Sequence, residues 1–433
     1  MRLSAINRQI LSLSIPSIVT NITTPLLSLV DVAIVGHMGA SDYIAAIAVG
    51  GSMFNMLYWL FGFLRMGSSG MTAQAFGAGD AKAQSRVLKQ ALLVALIAGT
   101  VMIALQSPVC DIVLRFMDVS GDTAIYAKTY FHILIWGAPA VLGNYVLCGW
   151  LLGMQNSKAT MWISVFINVC NIAASCLLVF VFRLGITGVA AGTLSAQWLG
   201  FALALLIAAT RYKIVKTTFR EIIEWTGLRR FFKVNVHIFL RTVCLVTVTI
   251  WFTRTGALQG PEMLAVNALL MQFFTLFSFF MDGFGFAGEA MAGKYVGAND
   301  KANLKASVDS LCRWAFAIAV LFTLLYIAGG DFLLSLLSDD KSVVARAHEY
   351  LCWVVTIPAM GFLAFMWDGI FIGATATRDM LRSMLGATAI FFIVYFIAYP
   401  RMHNDGLWLA FICYLLTRGL ILTFIGRRYR RLR

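Results

Sequence analysis

Apolar residues in this chain run in long blocks. They show neither the alternation of a half-buried strand nor the single stripe of a surface helix. A bilayer-crossing helix takes about 20 mainly apolar residues. Twelve blocks fit: 12–36, 45–66, 90–107, 129–152, 158–182, 187–210, 234–254, 262–288, 311–330, 348–372, 382–399 and 404–426. The strands of a membrane barrel would be shorter and alternating. The pattern therefore predicts an all-α integral membrane protein of twelve transmembrane helices. The first block runs past the usual apolar core of a signal peptide and lacks a small-residue cleavage site, so it is expected to stay as the first helix.

The chain also resembles itself at an offset of 220. Gly77-Ala-Gly-Asp80 is repeated as Gly297-Ala-Asn-Asp300, and Gly149, Gly153 and Lys158 return as Gly369, Gly373 and Arg378. Pro139 and Pro358 correspond one gap away, at 219. Two lobes follow, 1–219 and 220–433, each of six helices. An even number of helices makes both halves enter from the same side, so a pseudo-two-fold axis along the membrane normal is expected to relate them. The basic join from Arg211 to Lys233, with Trp225, is expected to lie as an amphipathic segment on the membrane surface.

Composition agrees with the pattern. Hydrophobic residues are 60% and charged residues 12%, with a mean hydropathy of +0.82, whereas soluble domains sit near 25% charged. The net charge of +14 raises the question of nucleic acid, and its distribution answers it. With the N-terminus placed in the cytoplasm, 23 of the 34 Lys and Arg fall in cytoplasmic segments and 7 in outer loops. That excess is the positive-inside rule. It predicts a multi-pass plasma-membrane protein, in the inner membrane of a Gram-negative cell, with both termini cytoplasmic and no nucleic-acid partner. The arginines from Arg427 to Arg433 then sit beside anionic lipid. The eight cysteines have no metal-ligand spacing and read as small packing residues.

Four carboxylates fall inside predicted helices: Asp31, Asp282, Glu289 and Asp368. A charge at the bilayer centre costs about 2.5–3.5 kcal/mol even on a lenient scale, so each must face water, a partner or a cargo. Buried carboxylates can take up protons near neutral pH. With amide, hydroxyl and carbonyl oxygens they can instead cage sodium. Both chemistries would couple transport to an ion gradient, and no other cofactor is implied.

Asp31 follows Pro16 and Pro25 on the first helix, and two helix-kinking prolines suggest a bendable element. On the fifth helix Asn171 and Ser175 share a face, four residues apart. Thr193 follows Gly188 on the sixth. These residues either complete a cation site with Asp31 or simply hydrogen-bond between helices. Arg241 calls for a buried partner, Asp282 or Glu289, whereas Asp368 has no evident cation partner and reads as a second coupling-ion candidate. Met56, Tyr58, Trp59, Met154, Phe273, Phe274 and Trp367 are candidates to line a cavity for flat apolar cargo.

The stretch Pro25-Leu-Leu-Ser-Leu-Val-Asp-Val-Ala-Ile-Val-Gly-His37 resembles the first-helix signature of the multidrug and toxic compound extrusion family. It is most similar to the DNA-damage-inducible (DinF-type) branch. Arg241-Thr-Val-Cys-Leu-Val, Asp282-Gly-Phe-Gly-Phe-Ala-Gly-Glu-Ala and Asp368-Gly-Ile-Phe-Ile-Gly-Ala-Thr-Ala-Thr-Arg-Asp-Met agree. The resemblance implies two six-helix lobes exporting organic, often cationic or amphipathic compounds in exchange for protons or sodium, and a monomer is expected. It implies that Asp31, Asn171 and Thr193 belong to a first-lobe cation site and that Pro16 is its kink proline. The branch usually has an aspartate where Ser175 stands, and its absence favours protons over sodium. Asp368 matches a position where another branch places an acid in the second lobe.

Rival classes fit less well. A major-facilitator transporter would carry a glycine–acid–arginine motif after helix two, and Gly77-Ala-Gly-Asp-Ala-Lys-Ala does not match it. A lipid-precursor flippase would need a more cationic cavity than Arg241 and Arg418 provide. Protease and zinc motifs are absent, so no enzyme is expected.

Overall fold

The computed structural model describes residues 4–36, 41–116, 121–215, 218–222 and 224–432. Among them the chain is helical and has no strand. The first half runs α1 (Ala5–Gly36), α2 (Ser41–Leu60), α3 (Phe63–Gly77), α4 (Ala81–Ala104), α5 (Gln106–Phe116), α6 (Gly121–Leu134), α7 (Ala138–Gly153), α8 (Ser157–Cys176) and α9 (Gly185–Arg211). One short turn, α10 (Phe219–Ile222), lies in the join. The second half runs α11 (Trp225–Leu258), α12 (Pro261–Gly297), α13 (Lys301–Leu337), α14 (Lys341–Glu349), α15 (Leu351–Gly373), α16 (Thr377–Met402) and α17 (Asn404–Leu432).

Eleven helical segments among the described residues are long and apolar enough to cross a membrane, and the first predicted block, 12–36, lies in α1. Several crossings are less regular than their apolar runs suggest. The second is two helices, α2 and α3, jointed at Phe61 and Gly62. The fourth is α6 and α7 joined by a 3₁₀ turn at Ile135–Gly137. Pro139 just beyond that turn explains the change, since proline cannot donate to the preceding turn. Its backbone presses on α4, where a Cβ on Gly99 would lie 2.6 Å from Pro139. The fifth ends in a π turn, Leu177–Val181. By contrast, α1 is unbroken through Pro16 and Pro25.

The sequence repeat is also a repeat of backbone geometry. Where α7 meets α3, a Cβ on Gly149 would lie 2.2 Å from the Arg65 carbonyl and one on Gly153 2.7 Å from that of Ser69. Where α15 meets α12, the same test brings Gly369 to 2.0 Å from the Gly285 carbonyl and Gly373 to 2.2 Å from that of Glu289. All four pairs keep the offset of 220. Such small-residue seams let helix backbones touch in a membrane. Left-handed residues recur at the same offset: Gly79 and Asn299, Gln155 and Thr375, Arg183 and His403. Asp80 caps α4 by accepting from Ala83 N–H at 2.8 Å, and Asp300 caps α13 by accepting from Asn303 N–H at 3.0 Å.

By packing, the chain forms two compact units, Val19–Phe232 and Met1–Ile18 with Lys233–Arg433. The start of α1 therefore belongs with the second half of the chain. There Trp314 Nε1 donates to Asn7 Oδ1 (3.3 Å), Tyr295 O–H donates to Gln9 Oε1 (3.4 Å), and Ile18 fills the space beside Gly283. The join belongs with the first half. It is strapped along one face of α4. Lys82 pairs with Glu221 (3.0 Å) and Arg86 with Glu224 (3.4 Å). Val215 N–H donates to Ser85 Oγ (3.0 Å), Lys89 Nζ to the Val215 carbonyl (2.9 Å) and Gln90 Nε2 to the Ile222 carbonyl (2.9 Å).

Candidate functional site

In the unit Val19–Phe232, the polar face predicted on the fifth crossing is buried against α9. Asn171 Nδ2 donates to Thr193 Oγ1 at 2.8 Å, and Thr193 in turn donates to the Val189 carbonyl at 3.1 Å. Asn171 and Ser175 are fully buried and Thr193 nearly so. Gly192 makes this closeness possible, because a Cβ there would fall 2.5 Å from Ser175 Oγ. After these bonds, Asn171 Oδ1 and Ser175 Oγ have no hydrogen-bond partner among the described residues. Two buried oxygens are thus left with free acceptor capacity, a costly arrangement unless something else uses it. The π turn begins two residues after Ser175, and such turns occur frequently at functional sites.

One turn below Asn171, Asn168 Nδ2 donates to the Thr23 carbonyl of α1 at 3.2 Å. Further along α1, Val30 and Ile34 pack in the same apolar cluster as Cys176, Val179, Val189 and Ala190. Helix α1 thus meets α8 one turn below this polar face. Asp31 and Pro25 lie on that helix, but their side chains fall outside the described residues. Pro16 is buried in α1.

The second unit holds a different cluster. Arg241 Nη2 of α11 and Arg418 Nη2 of α17 both donate to Asp368 Oδ2 of α15, and all three side chains are buried. The expectation that Asp368 lacks a cation partner is therefore wrong, since it has two. Arg241 thus has Asp368 as a buried hydrogen-bonded partner beside the expected neighbouring-helix carboxylate Asp282. Sequence distance hid the pairing, because helices 127 and 50 residues apart supply the arginines. Asp282 on α12 acts electrostatically on both guanidiniums. Glu289, two turns further along α12, is buried. Arg418 also lies over the Phe365 ring, 5.7 Å from its centroid. The sequence reading named it as a deep basic residue but gave it no part in the buried charge network. Its depth in an apolar helix was the available signal.

Among the aromatic and methionine candidates, Trp367 lines a cavity of about 510 Å³ within the second unit. Phe273 is instead packed in the core against Tyr326, ring centroids 5.1 Å apart. Met56 and Trp59 are exposed. No cysteine is disulfide-bonded, and no cluster of three or more metal-ligating residues occurs among the described residues.

Two repeat-related units of membrane-spanning helices, each burying polar side chains in its interior, define the architecture of a secondary transporter. Comparison with known proteins makes this specific. The MatE family profile matches twice, over 16–177 and 235–397, one copy for each half of the repeat. The chain belongs to the MatE family. DNA damage-inducible protein F of Escherichia coli is 35% identical over 99% of this chain and 94% of its own length. Multidrug resistance protein MdtK of Edwardsiella ictaluri is 24% identical, covering 98% of this chain and 96% of its own. A multidrug resistance MATE family transporter of the MOP superfamily, solved in an outward-facing conformation, shares the fold with a TM-score of 0.89. It is 19% identical over 98% of this chain and 96% of its own.

Proposed function

We propose that this chain is a multidrug exporter that expels organic, often cationic or amphipathic compounds in exchange for protons or sodium. The coupling site we assign is Asp31 with Asn171, Ser175 and Thr193. The observation that carries it is the pair of buried, unused oxygens, Asn171 Oδ1 and Ser175 Oγ, on α8, which α1 meets one turn below at Asn168. A proton or hard cation at Asp31 supplies what those oxygens lack. Ion binding then alters how α1 packs on α8 and α9, and alternating access follows from that change. The relatives named for multidrug resistance support the cargo class. Both termini are placed in the cytoplasm on the distribution of Lys and Arg, and the working unit is a monomer with no catalytic role.

The Arg241–Asp368–Arg418 cluster is read first as an ion-pair centre that holds α11, α15 and α17 together, and only second as a coupling site. Its guanidiniums face Asp368 and Asp282, so they do not form the open cationic cavity that a lipid-precursor flippase would use.

The test is efflux of a cationic dye from proteoliposomes under imposed proton or sodium gradients. A gradient of the coupling ion is expected to drive efflux by the wild type and not by Asp31→Asn. Unchanged efflux by the mutant overturns the site, and no movement of dye under either gradient overturns the cargo class.

A further inference from the structure

The repeat allows each surface of one unit to be compared with its counterpart in the other, and one pair differs sharply. In the first unit, a groove between α4 and α7 is filled by the join. Tyr212 sets its ring edge-on to Trp150 at 5.0 Å and its hydroxyl accepts from Asn156 Nδ2 at 2.8 Å. Ser85 Oγ accepts the Val215 N–H. In the second unit, the positions 220 residues on from Ser85, Trp150 and Asn156 are Lys305, Ile370 and Ala376. All three line the 510 Å³ cavity between α13 and α15. The groups that hold a peptide in the first groove are thus replaced by an apolar wall and a lysine. Lys301 adds a second positive charge at the rim. Asp300 also lines the cavity, its carboxylate accepting from Asn303 N–H and Nδ2 at 3.0 and 2.7 Å. Those hydrogen bonds hold it below the usual carboxylate range, so it stays ionised and the two lysines leave the lining one positive charge in excess.

We infer that this cavity binds an anionic phospholipid, its acyl chain against Ile370, Phe371 and Trp367 and its head group on Lys301 and Lys305. The cavity lies where α12 ends and α13 begins and is lined there also by Gly426 near the end of α17, so a head group would sit at the end of these membrane-spanning helices and an acyl chain along them. A basic amphiphile is disfavoured by the two lysines. So is the arginine-rich tail of this chain, although the repeat register would bring it there.

Native mass spectrometry of the full-length protein in detergent tests the inference with phosphatidylglycerol and phosphatidylcholine of identical chains. Phosphatidylglycerol is expected to bind the wild type more tightly, and Lys301→Gln with Lys305→Gln to weaken it about 10-fold or more, as two lysines at a head group should. A second variant, Ala374→Trp, fills the apolar wall and keeps the charge. It is expected to weaken both lipids. Equal binding of the two lipids, or binding untouched by either variant, overturns the proposal. Displacement by millimolar inorganic phosphate points to a free anion and overturns the lipid source. A cross-link from position 308 to the tail in lipid-free protein makes the tail the occupant and overturns it too. Because the readout is lipid binding, the result is independent of the coupling site and cargo proposed above.

Discussion

Asp368 and Asn171 show how two buried polar residues can have opposite consequences. Asp368 receives two guanidiniums on one oxygen. Removing its charge leaves two buried cations poorly compensated, and breaking a buried ion pair costs about 3–5 kcal/mol. Asp368→Asn is therefore expected to lower the melting temperature and the yield of folded protein, measured by thermal unfolding in detergent. Asn171 makes one bond to Thr193 and leaves its carbonyl oxygen unused. Asn171→Ala gives up a bond worth about 1 kcal/mol, so stability should change little while coupled efflux is lost. Loss of stability without loss of coupling would reverse the assignment. Ser175 stands where the family resemblance implies an aspartate. Ser175→Asp adds a hard anionic ligand beside Asn171 and is expected to make dye efflux more sodium-dependent, read as the ratio of sodium-driven to proton-driven rates.

At the scale of helices, the two glycine seams set how closely elements can approach. A methyl at Gly369 meets the Gly285 carbonyl, which is backbone and cannot rotate away. Gly369→Ala is expected to cost about 1–3 kcal/mol through forced separation of α12 and α15, and Gly149→Ala should do the same to α3 and α7. Thermal unfolding of the two variants checks whether the seams are equivalent. The strap on α4 makes a pH prediction. The hydrogen bond from Lys82 holds Glu221 below the usual carboxylate range. A depressed carboxylate stabilises the folded arrangement above its unfolded value, and that contribution is lost as pH falls through the lower folded value. Hydrogen-exchange protection of 218–222, corrected for the intrinsic rate, should thus hold through the usual carboxylate range and be lost only at lower pH. Lys82→Glu should remove it at neutral pH.

Over the whole molecule, the units defined by packing do not coincide with the halves of the repeat, because the start of α1 crosses over. Trp314, Tyr295 and Ile18 fix those first turns within the second unit. Destabilising that unit with Asp368→Asn is expected to raise hydrogen exchange in residues 5–18 together with 233–433. Residues 19–36 should keep the exchange rates of the first unit. Uniform behaviour along α1 would show that the helix moves as one piece.

The crossings and the repeat were legible because membrane burial demands long apolar runs, and a duplicated backbone keeps its glycines and caps at a fixed spacing. Gly149 and Gly369 mark close approaches that admit only glycine, and Asp80 and Asp300 mark helix starts that favour a few short polar residues, so the pattern survives in one dimension. The face shared by Asn171 and Ser175 was legible for the same reason, since helical spacing alone places them together. The partners of Asp368 were not. They come from helices far apart in the chain, and no local spacing records which buried charge meets which. The joints at Gly62 and Ile135–Gly137 and the π turn after Ser175 also escaped the pattern, because apolar composition fixes the length of a crossing but not its straightness. By itself the sequence determined which segments are helical and how the chain repeats. Only the tertiary structure decided which charges neutralise one another, which buried oxygens are left unused, and that one groove is filled by the chain while its counterpart is open. Those outcomes depend on long-range packing, where the energy of each polar group is set by neighbours that the local sequence does not name.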